Sequence, residues 1–311
     1  MKLTNRDFIT LKDFSKDEIL ALIKFAKELK EKKKQGITGN HLQGKNIALI
    51  FEKPSTRTRC AFVVACNDEK AYPEYLGAND IQLGKKESIQ DTARVLSRMF
   101  DGIEFRGFNQ SDLETLAKYS DVPVWNGLTN EFHPTQILAD MLTIYEHFNK
   151  LEGLNFAYIG DGRNNMANSL MIGCAKLGLN YINISPKELH PDNELINLCK
   201  SFANNSSIKI SDNIEDIKGV DIIYTDVWCS MGEEEKAKDR INILKPYQVN
   251  DELLLKTGKN TIIMHCLPAV KGNEITENVF ENNADIIFNQ AENRMHTIKA
   301  VMIATICDID I

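Results

Sequence analysis

The chain has 311 residues, a formal net charge of −7, 43% hydrophobic and 26% charged residues. That composition excludes a disordered, collagenous or disulfide-scaffold protein, and the acidic balance argues against a general nucleic-acid binder. A single core stops growing at roughly 250–300 residues, so two domains are expected.

The elements follow in order. Ser15-x-x-Glu18 is a capping-box pattern that opens a helix with Ile19, Leu22, Ile23, Ala26 and Leu29 on one face, closed by Gly36 and Gly39. The lysines at 30 and 32–34 are a solvated helix end. Asn46–Phe51 reads as a buried parallel strand, followed by a polar turn and a helix through Phe62, Val63 and Cys66. A helix is expected over Ser88–Met99, with Ile89, Ala93, Leu96 and Met99 facing inward. A strand follows at Gly102–Arg106, then helices at Ser111–Tyr119 and Thr135–Phe148. A domain boundary is placed near residue 150. Beyond it come strands at Asn155–Ile159, Tyr181–Ile184, Asp221–Thr225 and Thr261–His265, with Ile286–Phe288 a further candidate. Helices are expected at Asn165–Leu177, Asp192–Ala203 and Met295–Ile306. Alternating strands and helices imply an α/β fold of two parallel sheets, each flanked by helices. The domains are read as 1–149 with the C-terminal helix 292–311 packed back on it, and 150–291.

Seven cysteines with no C-x-x-C pair indicate neither a disulfide framework nor a zinc knuckle, and fit a reduced, cytoplasmic setting. The first residues have no apolar core of a signal peptide, and no stretch approaches a membrane span, so no membrane partner is expected.

Ser55-Thr-Arg-Thr-Arg59 stands between a predicted strand and the helix it opens. Helix N-termini offer free N–H donors and a positive dipole end, and Arg57 adds a planar guanidinium. A phosphate cradle and a hydroxyl-rich helix cap with exposed arginines both fit this segment. Arg106 ends another predicted strand, and His133-Pro-Thr-Gln136 opens another helix. In the second domain, Asp226-Val-Trp-Cys-Ser-Met-Gly232 and His265-Cys-Leu-Pro268 follow strands, and Asn165 stands where a helix begins. All lie at carboxyl ends of strands, where open α/β sheets bind ligands.

Ser-Thr-Arg-Thr-Arg and His-Pro-Thr-Gln at this spacing resemble the carbamoyl-phosphate signatures of the aspartate/ornithine carbamoyltransferase family. The stretch Gln82–Arg94, the D-x-W-x-S-M-G motif and the H-C-L-P motif resemble its ornithine branch. The resemblance implies transfer of a carbamoyl group from carbamoyl phosphate to the side-chain amine of L-ornithine, within arginine biosynthesis or breakdown. It implies that Ser55, Thr56, Arg57 and Thr58 hold the phosphate, with Gln82 a further contact. Arg106, His133 and the Thr58 hydroxyl would donate to the carbamoyl oxygen, Gln136 would bind the carbamoyl amide, and Arg294 would reach the same site. Asn165, Asp226, Ser230 and Met231 would contact ornithine, and Cys266 and Leu267 would touch both substrates. Asp226 and Cys266 join Arg106 and His133 as the expected catalytic set. The aspartate branch carries arginines in the last two motifs, and this chain does not. No metal or cofactor is expected, and a homotrimer or a multiple of trimers is implied.

A dinucleotide-binding oxidoreductase is the rival from another class, because Gly160-Asp-Gly162 follows a strand. Asn165 replaces its third glycine, and Ser185 stands where an acidic residue would end the next strand.

Overall fold

The computed structural model describes residues 1–81, 86–229 and 237–311. The chain forms two compact units, one of Met1–Leu142 with Glu292–Ile311, the other of Thr143–Ala291. The first division falls inside a helix, some residues before the expected boundary near 150.

In the first unit the elements are α1 (Lys16–Lys34), β1 (Asn46–Phe51), α2 (Arg57–Asp68), β2 (Tyr72–Gly77) and α3 (Ile89–Leu96). They continue with β3 (Gly102–Arg106), α4 (Gln110–Tyr119), β4 (Val124–Leu128) and α5 (Pro134–Phe148). The capping box forms in both directions. The Glu18 N–H donates to the Ser15 hydroxyl at 3.2 Å, and the Ser15 N–H donates to the Glu18 carboxylate at 2.7 Å. The five apolar residues named for α1 are all buried. The sheet runs β2-β1-β3-β4, entirely parallel. Side chains alternate across it. Ala48, Ile50, Ile103 and Phe105 pack with Ala93 of α3 and Leu113 and Leu116 of α4. On the other face, Trp125 stacks on Phe62 of α2 and its indole N–H donates to the Thr305 hydroxyl at 3.0 Å. The last helix, α11 (Ala284–Ile306), is tied down there, with Lys299 and Lys33 both paired to Asp68 at 2.6 Å.

Three expectations fail in instructive ways. β2 and β4 were not foreseen. β2 carries Pro73 and sits at the sheet edge, the position that tolerates proline. β4 contains Asn126 and Gly127, and it is held extended by β3 on one side and by the Phe8 backbone on the other. Met99 is 67% exposed, because α3 stops at Leu96 and the inward stripe does not continue.

The second unit holds β5 (Asn155–Ile159), α6 (Asn165–Leu177), β6 (Asn180–Ile184), α7 (Asn193–Phe202), β7 (Ile208–Ser211) and β8 (Ile222–Thr225). It continues with α8 (Ala237–Leu244), α9 (Asp251–Thr257), β9 (Ile262–His265) and α10 (Glu277–Asn282). Its sheet is also parallel, in the order β7-β6-β5-β8-β9. The core gathers Ile159, Ile184, Ile223 and Ile263 with Leu253, Val279 and Phe280 from flanking helices. Ile286–Phe288 is not a strand but part of the first turns of α11, where Ile287 is buried and Phe288 is 55% exposed. No helix among the described residues is long and apolar enough to cross a membrane.

Each sheet has one topological switch. β1 lies between β2 and β3, so the connections leaving β1 and β3 run to opposite sides. β5 lies between β6 and β8 in the same way. The carboxyl ends of these strand pairs are where open sheets leave room for a ligand.

Candidate active-site half-sites

In the first unit, the chain leaves β1 at Phe51 and enters α2 at Arg57, with Thr56 as the residue before the helix. The Thr58 N–H donates to the Ser55 hydroxyl at 3.2 Å, which fixes the turn. This turn stands at the β1 side of the switch, and Arg106, the last residue of β3, stands at the other. The β3–β4 register slips there, from Phe105 opposite Asn126 to Arg106 opposite Leu128. Such a slip re-aims the side chain at a strand end.

The fully buried Thr58 hydroxyl is the meeting point. It accepts from Arg294 of α11 at 2.7 Å and from Arg106 at 3.4 Å. His133 precedes α5 and Pro134 opens it, as the sequence suggested. The turn before it is held by Thr129, whose hydroxyl accepts from the Phe132 N–H at 3.1 Å. Burial, then the charges of Arg294, Arg106 and Arg57, hold the His133 imidazole well below its ordinary range. Three guanidinium groups therefore act on one neutral imidazole. Gln136 is buried on the first turn of α5. The structure thus gathers Ser55, Thr56, Arg57, Thr58, Arg106, His133 and Arg294 at one end of one sheet. Gln82 lies outside the described residues.

Glu104 was not foreseen. It is fully buried, and neither carboxyl oxygen has a hydrogen-bond partner. It lies two residues before Arg106 on the same strand face. Burial drives its carboxyl well above the usual range, while Arg106 and Arg294 pull the other way without prevailing. A carboxyl held toward its neutral form offsets less of the arginine charge. A carboxyl on β3 two residues before Arg106 was the available signal.

In the second unit, Asp226 follows β8 across the switch from the Gly160–Asn164 turn that follows β5. One Asp226 carboxylate oxygen accepts from the Cys266 thiol at 3.0 Å and the Val227 N–H at 2.8 Å. The other accepts from the Asn164 amide at 3.3 Å. Asn164 caps α6, accepting from the Ala167 N–H at 2.8 Å, and also donates to the Tyr158 hydroxyl at 2.7 Å. Asn165, the residue named from sequence, is half-buried at the first position of α6, one residue on. Burial raises the Asp226 carboxyl above its ordinary value.

His265 ends β9. Its Nδ1 accepts from the Leu267 N–H at 2.8 Å, so the proton sits on Nε2, which faces buried Glu274 at 3.2 Å. Leu267 has a left-handed backbone, φ 61°, and precedes a cis proline. The ligand atoms of Asp226, His265 and Cys266 lie within 4.8 Å of one another. Both imidazole nitrogens are nevertheless engaged by the protein, so the trio is organised around the loop rather than around an ion. Ser230 and Met231 lie outside the described residues.

Gly162 explains why the Gly160–Gly162 turn is glycine-rich without a dinucleotide. A Cβ on Gly162 would meet the Asn183 side chain at 2.6 Å and the Leu189 carbonyl at 2.7 Å. The glycine serves packing, and the fingerprint remains incomplete at Asn165.

Guanidinium groups around a buried hydroxyl at one switch and an acidic, hydrogen-bonded cluster at the other are polar strand-end clusters of the kind in which α/β enzymes hold small molecules. Comparison with known proteins narrows the class. The family model described as aspartate/ornithine carbamoyltransferase, carbamoyl-P binding domain, matches residues 6–146, and its Asp/Orn binding domain counterpart matches residues 152–305. The chain is 54% identical to a catabolic ornithine carbamoyltransferase of Bacillus licheniformis, over 100% of this chain and 99% of that protein. It is 56% identical to a catabolic ornithine carbamoyltransferase of Streptococcus ratti, over 97% and 96%. Among solved structures, ornithine carbamoyltransferase from Pyrococcus furiosus matches with a TM-score of 0.96 at 41% identity, covering 100% of both chains. The chain belongs to the aspartate/ornithine carbamoyltransferase family.

Proposed function

We propose that this chain is an ornithine carbamoyltransferase, forming L-citrulline and phosphate from carbamoyl phosphate and L-ornithine. The observation that carries the reading is the Thr58 hydroxyl held by Arg106 and Arg294 at the β1–β3 switch, beside a neutral His133. Amine attack on the carbonyl carbon puts negative charge on its oxygen, and the leaving phosphate gains charge as the C–O bond breaks. Preorganised donors at those two places stabilise the transition state by several kcal/mol.

Ser55, Thr56, Arg57 and Thr58 hold the phosphate, with Gln82 as a further contact. Arg106, His133 and Thr58 donate to the carbamoyl oxygen, Gln136 takes the carbamoyl amide, and Arg294 binds the same ligand. A neutral His133 suits a donor that must not carry its own charge into the site. Asp226 binds the α-ammonium of ornithine, and Asn165, Ser230 and Met231 hold the rest of its amino-acid end. Cys266 and Leu267 stand at the side-chain amine. The ornithine amine, near ~10.4 when unperturbed like a lysine, must lose its proton to attack, and desolvation lowers that value. The first proton passes to solvent as the ammonium is desolvated, and the departing phosphate takes the second from the attacking nitrogen as the C–O bond breaks, so no protein base and no covalent cysteine intermediate are invoked.

The choice of ornithine over aspartate rests on the absence of arginine from 226–232 and 265–268, where a second substrate carboxylate would want one. The relatives at 54% and 56% identity are named catabolic, whereas a Campylobacter jejuni structure titled anabolic shares 37%. That difference favours the arginine-degrading direction over biosynthesis. Seven cysteines without a C-x-x-C pair fit a reducing cytoplasm, and the family resemblance favours a homotrimer or a multiple of trimers.

Arg57→Ala tests the reading. Loss of a charge-assisted contact worth about 1.5–3 kcal/mol raises the KM for carbamoyl phosphate roughly 10- to 150-fold and leaves the KM for ornithine in place. Unchanged carbamoyl-phosphate affinity and turnover would show that the cradle is misassigned.

A further inference from the structure

Gln136 and Asp140 lie one turn apart on α5, both buried within the first unit. The Gln136 amide nitrogen donates to an Asp140 carboxylate oxygen at 2.8 Å, while the Gln136 amide oxygen is buried without a hydrogen-bond partner. An amide side chain has two ends of nearly equal shape, one a donor and one an acceptor. In its ionised form Asp140 only accepts, and so engages just the nitrogen end. Rotating the amide by half a turn would bring two oxygens together and cost the hydrogen bond. Asp140 therefore dictates which end of Gln136 is left for a ligand, and it is the acceptor.

We propose that Asp140 is a positioning residue that fixes Gln136 with its oxygen turned away from Asp140 and left without a partner, so that the site selects an acyl phosphate whose acyl carbon bears N–H donors over one bearing a methyl group. This rests on the reading that Gln136 takes the carbamoyl amide. A carbamoyl NH2 satisfies the waiting oxygen. An acetyl group, of nearly the same size, leaves it buried and unpaired, which is the strongest form of discrimination a polar site offers. If the amide could turn over, its N–H would meet either ligand without preference, and the distinction would weaken.

The test uses the purified full-length chain. The quantities are the KM for carbamoyl phosphate and the inhibition constants of acetyl phosphate and inorganic phosphate, each competing with carbamoyl phosphate. Asp140→Ala is expected to raise the KM for carbamoyl phosphate about 5- to 150-fold, the loss from one unpaired buried group. The preference for carbamoyl over acetyl phosphate narrows by the same factor, and inhibition by inorganic phosphate, which has no acyl group, stays within about twofold. Asp140→Asn keeps an oxygen that can accept from Gln136 but also offers an N–H, so it falls between. It is isosteric, and it decides the matter by the same ratio if the alanine variant does not fold. A carbamoyl-to-acetyl ratio equal to the wild type in either folded variant overturns the proposal, whatever happens to turnover. So does a parallel weakening of inorganic phosphate, which marks a general packing role. Gln136→Leu separates the two levels: if it leaves the KM for carbamoyl phosphate unchanged, the reading of Gln136 itself has failed.

Discussion

Glu104→Gln is the most revealing single change. Both oxygens of the native carboxyl are buried without a hydrogen bond, and the charges of Arg106 and Arg294 act on it. Burial therefore wins, and the folded-state value lies well above the ordinary 4.5. A raised carboxyl contributes its full stability below the unfolded value. It loses that contribution as pH rises, because the unfolded chain ionises first. Glutamine cannot ionise. The stability of Glu104→Gln relative to wild type should therefore climb with pH, by about 1.4 kcal/mol per unit, until pH reaches the folded-state value. Compared at roughly pH 5.5 and 7.5, each unit over which the folded carboxyl stays neutral raises the relative Tm of the variant by about 3–6 °C for a unit of this size. The readout is the difference in melting temperature at the two pH values. The fixed cost of placing an amide N–H2 in the same space affects both equally. If the difference is flat, or if the variant loses ground as pH rises, Glu104 is ionised in the folded protein and serves as a counter-ion to the arginines instead.

Two further outcomes follow from the geometry. Thr58→Val keeps the shape of a buried side chain but removes the acceptor at 2.7 Å from Arg294. A hydrogen bond to a charged group is worth about 1.5–3 kcal/mol, so kcat/KM for carbamoyl phosphate should fall roughly 10- to 150-fold in steady-state assays. Asp226→Asn removes the charge proposed to meet the α-ammonium. It should raise the KM for ornithine by about tenfold or more while the KM for carbamoyl phosphate stays level, since Asp226 belongs to the second unit.

What the sequence disclosed follows from which signals are local. The α1 capping box, the strand before Ser55 and the Pro134 helix start are short-range patterns, and each appears where expected. The strands β1, β3, β5, β6, β8 and β9 are almost wholly buried, and all six were legible. The edge strands β2 and β7 carry polar and proline residues and gave no such signal. Ile286–Phe288 has strand-like residues, but it takes its conformation from the long helix it joins, so tertiary context overrode propensity. Among candidate site residues, motifs pointed to the arginines, His133, Gln136, Asp226 and Cys266. They did not reveal Glu104, Asn164 or Asp140. Those three hold or tune other side chains, and their neighbours are known only once the chain has folded.

The reading as a whole is tested most directly by product analysis with a panel of amines. The purified chain is incubated with carbamoyl phosphate and, in turn, L-ornithine, putrescine and L-aspartate, and the carbamoylated products are separated and identified. The account predicts citrulline from ornithine at a rate at least ~100-fold above either other product, because two charged contacts worth about 1.5–3 kcal/mol each hold the amino-acid end. Carbamoyl-putrescine or carbamoyl-aspartate as the main product would contradict it.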